Sequence, residues 1–281
     1  MATKAKEACG IALLCVLMLV SSVRLAQAQD LSEAFLLPEL FQIMAAEGRA
    51  AIGQDSAAPV SDAELDLWRA ELDEIYDADR MHVDFVAALD AALESKPGIR
   101  ADAIDFATTE LGQRILRLEI SARDALLQDE IDDVARLALL EARSASQKGA
   151  DNRLALVRAR IRANDLVELN VSLGMNTSYA YYRGMLAENT AIGLNAEDML
   201  NMVQALEPSI RNDVTDWIES YFLMAYQPLS DDELQAYIAY SASPEGDAFN
   251  RAMFQAFDAV FVGLSHRVGR ALGRIMNSES L

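Results

Sequence analysis

The sequence predicts an all-α protein, two related helical bundle halves packed as one body behind a cleavable leader. Three observations lead there. Apolar residues recur at steps of three and four along most of the chain, the spacing of one helical face. No stretch alternates apolar and polar residues convincingly, as a half-buried strand would. Finally, Phe106-Ala-Thr-Thr-Glu-Leu-Gly112 is echoed by Tyr240-Ser-Ala-Ser-Pro-Glu-Gly246, an offset of 134, and each copy follows one amphipathic helix and opens a longer one.

In chain order, residues 1–28 read as a secretory signal. Lys4 and Lys6 precede the uncharged run Gly10 to Val20, and Ala26-Gln27-Ala28 supplies a small-x-small cleavage site. That run is too short to span a bilayer, which takes about 20 apolar residues. An N-terminal repeat is expected over 29–147 and a C-terminal repeat over 148–281, joined around Lys148-Gly149. Asp30-Leu-Ser-Glu33, Ser61-Asp-Ala-Glu64 and Ser230-Asp-Asp-Glu233 have the spacing of capping boxes, which satisfy the free N–H groups of a helix start. Pro38 implies a kink or two short helices. Breaks are expected near Gly48 to Val60, at Lys96-Pro97-Gly98, at Pro208 and at Gln227-Pro228.

The stripes Leu65, Trp68, Leu72, Ile75; Ile131, Val134, Leu137, Leu140; and Leu154, Val157, Ile161 are expected to face the core. Phe249, Met253, Phe257, Val260, Leu264 and Val268 form the longest. With Phe254, Phe261 and Val262 off that stripe, the last helix reads as central and buried. Gly269 and Gly273 would let another helix approach it closely. In the echoed phrase, Thr109 and Ser243 read as N-caps with Pro244 at the first helical position, and Phe106 and Tyr240 as the aromatics that pack at each corner.

Composition narrows the function. The formal net charge of −20 disfavours nucleic acid and anionic lipid. Cys9 and Cys15 both leave with the leader, so the mature chain has no disulfide and no thiolate chemistry. An acidic block from Asp55 to Glu94 opposes a basic one from Arg143 to Arg162. These are either solvated helix faces that pair inside the molecule or, for the basic segment, a docking strip for an anionic partner.

Leu229-Ser-Asp-Asp-Glu-Leu-Gln-Ala-Tyr-Ile-Ala-Tyr240 followed by Ser243-Pro-Glu-Gly246 resembles the bacterial secreted family known as domain of unknown function 2059. The similarity is best over Ile210 to Val262 and fainter around Ile99 to Leu127, where the proline is missing. The resemblance implies an all-helical, exported, Gram-negative protein, and it implies no activity.

Catalytic, cofactor and metal residues are expected to be absent. His82 and His266 fall in separate helices without a partner at i,i+4, so no zinc pair forms. Asp129-Glu-Ile-Asp-Asp133 lacks the glycine and alternating ligands of a calcium loop and reads as a charged helix start. Glu219-Ser220-Tyr221-Phe222 resembles the Glu-Ser-x-Phe signature of helical lytic transglycosylases, in which the Glu is general acid and base. The downstream Gly-Leu-Met-Gln-type segment is missing, however, and Met224-Ala-Tyr-Gln227 is a poor substitute. Tyr179, Tyr181, Tyr182 and Met175, Met185, Met199, Met202 would line an apolar pocket or, more simply, fill the core. The favoured reading is a non-enzymatic interaction or structural protein of the periplasm, with an envelope protein as possible partner and no cofactor. The alternatives are a carrier of a small apolar ligand in an inter-helix cavity, and a peptidoglycan-cleaving enzyme using Glu219. Oligomeric state stays open.

Overall fold

A computed structural model describes residues 31–54, 62–147, 152–188, 193 and 195–278. Among them there is no strand, and the helices are α1 Leu37–Gln54, α2 Asp62–Ile75, α3 Ala78–Leu93, α4 Pro97–Ala107, α5 Glu110–Ala125, α6 Asp129–Gln147, α7 Arg153–Ala163, α8 Leu166–Glu188, α9 Ala196–Ala225, α10 Asp231–Ser241 and α11 Pro244–Ser278. The leader, the Asp30 and Ser61 caps and Lys148-Gly149 lie outside the described residues.

Local chemistry explains most boundaries. Leu36 takes a left-handed backbone (φ 53°), which breaks the chain ahead of Pro38 and leaves the proline in the first turn of α1. Pro97 opens α4. Ser230 and Glu233 form a complete capping box on α10, with Ser230 N–H donating to Glu233 at 2.7 Å and Glu233 N–H to Ser230 Oγ at 3.2 Å. α1 passes Gly48, whose bare Cα receives the Tyr76 ring, and ends at Gln54, within the break expected between Gly48 and Val60. One expected break does not occur. α9 runs through Pro208, which sits on an exposed turn while Val203 and Ile218 anchor the helix on either side.

Two apolar cores hold the fold. The first joins α1, α2 and α3 to one face of α11, with Phe41, Phe85 and Leu89 at its centre. Each such side chain contributes about 1.5–3 kcal/mol on burial. The second gathers α5, α7, α9 and α10 around Tyr226, Leu234 and Val157. Each core draws on both sides of residue 148, so the halves 29–147 and 148–281 interlock rather than sit side by side. α11 is the central helix, as its pattern implied, and α8 packs along it most extensively. That crossing closes backbone to backbone: a Cβ on Gly269 would lie 2.0 Å from the Tyr181 carbonyl oxygen, and one on Gly184 would lie 2.1 Å from that of His266.

One stripe is turned the other way. Val134, Leu137 and Leu140 of α6 are 65%, 61% and 59% exposed, whereas Ala135 and Leu139 face inward. α6 has only α9 and α7 as principal neighbours, and its acidic first turn stays in solvent. Among the described residues nothing covers this stripe.

Candidate functional site

The echoed corners are the same structure built twice. Thr109 Oγ1 accepts the Gly112 N–H at 2.9 Å and donates to the Phe106 carbonyl at 2.7 Å. Ser243 Oγ accepts the Gly246 N–H at 3.0 Å and donates to the Tyr240 carbonyl at 2.7 Å. A Cβ at either glycine would stand 2.2 Å from that carbonyl oxygen, so only glycine lets the incoming helix close onto the outgoing one. The two corners then meet: the Phe106 and Tyr240 rings stack with centroids 3.7 Å apart and planes 4° from parallel.

A cavity of about 520 Å³ opens beside this stack. Its walls respect the duplication. α4 and α5 contribute Phe106, Ala107, Gly112, Ile115, Leu116, Glu119, Ile120 and Arg123, and the residue 134 places after each of them also lines the cavity: Tyr240, Ser241, Gly246, Phe249, Asn250, Met253, Phe254 and Phe257. α1, α7, α8 and α9 close the remaining sides. Where the copies differ in chemistry they differ sharply. Glu119 corresponds to Met253, and Arg123 to Phe257. The first copy carries two charged side chains where the second carries two apolar ones.

Glu119 is the centre of a hydrogen-bonded network. Its Oε1 accepts from Tyr226 Oη at 2.6 Å and from Tyr237 Oη at 3.3 Å, and Tyr221 Oη donates to its backbone carbonyl at 3.0 Å. The Tyr237 oxygen also accepts from Arg160 Nη2 at 3.1 Å, and Arg160 donates from Nη1 to Asn164 at 2.8 Å. Asn164 in turn donates to the Ser241 carbonyl at 2.6 Å, tying the network to the second corner. Oε2 of Glu119 has no hydrogen-bond partner among the described residues.

Burial pushes the Glu119 carboxyl above its ordinary pKa, and Arg160 with the two phenols only partly offsets this. Burial alone would lower the Arg160 guanidinium, but the oxygens of Tyr237, Tyr226 and Glu119 more than reverse it, so the group stays charged. Burial raises the Tyr237 phenol to about 12. Arg123 is locked in a two-pronged ion pair with Glu47 at 2.7 and 2.6 Å and lies over the Trp217 ring.

Several residues singled out in the sequence lie elsewhere. Glu219 lines neither this cavity nor a smaller one of about 210 Å³ between α6 and α9. It is clamped between Arg158, at 2.6 and 3.1 Å, and Arg143, at 2.9 Å. Burial pulls its pKa up, but the two guanidiniums outweigh burial and leave it below the ordinary value. Of the tyrosine and methionine cluster, none reaches the cavity: Met199 is buried, Tyr181 and Met185 pack on the first core, and Met202 is exposed. His82 binds Ser32 Oγ at 2.7 Å, His266 sits among Arg183 and Arg270, and burial lowers both. No group of three or more potential metal ligands exists among the described residues.

Among the described residues, most of the basic segment is engaged outside the acidic block. Arg143 and Arg158 hold Glu219, Arg153 reaches Asp231 at 3.2 Å, and Arg160 is only 7% exposed at the cavity. The acidic block pairs instead with Arg49, Arg100 and Arg274.

The residue overlooked in the sequence is Glu119. A signal was present, because Gly112, Ile115, Glu119 and Ala122 share one helical face and a lone carboxylate on such a face needs an explanation. In comparisons with protein-family models, curated proteins and solved structures, nothing matches this chain.

Proposed function

We propose that this chain is an exported, non-enzymatic binding protein that carries a small amphipathic molecule in the cavity between its duplicated helix pairs. One observation carries the reading: matched positions of the two copies line the same space, yet Glu119 and Arg123 of the first copy are Met253 and Phe257 in the second. A volume of about 520 Å³ falls within the range of small-molecule pockets, roughly 300–1,000 Å³. A part-buried carboxyl with a raised pKa costs stability, and a cavity is where such a cost has a use. The leader at residues 1–28, a periplasmic address and kinship with domain of unknown function 2059 belong to the same proposal and rest on the sequence alone.

A transglycosylase role for Glu219 has less support. A general acid must hold its proton near neutral pH, and two arginines favour the ionised form. An interaction role has one observation of its own, the outward ridge of Val134, Leu137 and Leu140 on α6.

Native mass spectrometry of the purified protein tests the carrier reading. A retained non-protein mass, or saturable uptake of an apolar fluorescent dye quenched by Trp217, is the expected result. A bare chain that also takes up no dye overturns it.

A further inference from the structure

We infer, on the strength of the carrier reading above, that the ligand is a neutral amphiphile bearing a hydroxyl group, with the hydroxyl on Glu119 Oε2 and its hydrocarbon body along Met253, Phe257 and Phe261. Oε2 is the open position of a carboxyl whose other oxygen is already held by Tyr226 and Tyr237. A hydrogen-bond donor placed there joins the network that runs through Tyr237, Arg160 and Asn164 to the second corner.

Charge sorts the possible head groups. An anionic head meets the Glu119 carboxylate. A cationic head meets the Arg160 guanidinium, which shares the Tyr237 hydroxyl with Glu119. Arg123 changes neither balance, because Glu47 neutralises it. A neutral head suffers no repulsion from either. A hydroxyl is suited for a second reason: it donates to an ionised carboxyl and accepts from a protonated one, so it satisfies Glu119 in both states. The groups facing that carboxyl are Arg160 from α7, Tyr221 and Tyr226 from α9 and its end, and Tyr237 from α10.

The apolar wall fixes the orientation. Met253 and Phe257 replace the charged residues of the first copy, and Phe261 continues the wall one turn further along α11. Met adapts to the irregular outline of a flexible chain. A ligand seated in reverse would leave Oε2 buried against hydrocarbon, which costs the full desolvation of that oxygen.

The test compares decanol with decyl methyl ether, which has the same chain and no donor, by calorimetry between neutral and alkaline pH. Decanol is expected to bind about 10- to 100-fold tighter, the worth of one hydrogen bond to a charged group. Glu119→Met, which copies Met253 into the first wall, is expected to bring that ratio near one while still binding both probes. Decanoate and decylamine are expected to bind more weakly than decanol. Equal affinities in the wild type, a ratio that survives in Glu119→Met, or a charged probe binding tightest overturns the hydroxyl assignment and leaves the carrier reading standing. Failure of every decyl probe and of apolar dyes overturns both.

Discussion

At Gly112 and Gly246 a single methyl group decides whether each corner closes. Gly246→Ala places a carbon 2.2 Å from a backbone oxygen that cannot move without unwinding α10. A cost of about 2–3 kcal/mol is expected in urea unfolding, at the upper end for overpacking. Gly263→Ala, with nothing within 4 Å of the added carbon, is expected to gain up to about 1 kcal/mol from helix propensity alone. Equal effects at the two sites contradict the close approach. The two carboxyls Glu119 and Glu219 are expected to respond oppositely to pH. The folded pKa of Glu219 is lowered, so its contribution is complete above the ordinary carboxylate range and is lost as pH falls through the depressed value. The folded pKa of Glu119 is raised, so its contribution is complete below the ordinary range and is lost as pH rises through the elevated value. Glu219→Gln should therefore flatten the acid side of the stability profile and Glu119→Gln its upper side, measured by thermal melts across pH. Glu219→Gln also leaves two arginines short of a partner. A cost of about 2 kcal/mol is expected, below that of a fully buried pair because Arg143 and Arg158 stay 27% and 37% exposed. The corners were legible in the sequence because a cap, a glycine and an aromatic three residues before the cap are local signals. Glu119 was not, because the tyrosines that surround it lie about a hundred residues further on.

Among elements, helix existence was readable and helix orientation was not. Periodicity places a stripe on a helix but does not say which side meets the core when a neighbour is missing. α6 shows this: its Val134, Leu137 and Leu140 stripe faces out, because α7 and α9 cover only the Ala135 and Leu139 side. Leu137→Glu is accordingly expected to change the thermal midpoint little, within about 0.5 kcal/mol, as for other surface positions. A loss of several kcal/mol would mean the leucine is packed after all. Pro208 was read as a break because proline weakens a helix in isolation. Packing overrides that weakness through the two buried anchors of α9. α11 was read correctly, since a helix apolar on several sides has nowhere to go but the interior.

For the whole molecule, the repeat was visible as letters while its consequence was not. Two copies suggested two halves joined near residue 148 and packed as one body. Within that body α11 crosses into the N-terminal core, and α5 joins the C-terminal one. Expressed separately, 29–147 and 148–281 are expected to lack cooperative unfolding by circular dichroism and to regain it on mixing. Independent sharp transitions would contradict the interlocking. The interlocking is also what creates the cavity, since its walls come from corners that meet only when both halves fold together. The most direct measurement is a thermal shift with the tighter-binding decyl probe on the wild type and on Met253→Trp, whose indole occupies the apolar wall. A saturable rise for the wild type, about 2.7 kcal/mol at a hundredfold excess over Kd, with no rise for the variant, is the expected result. The same rise in both proteins would place the ligand outside the cavity and contradict the account.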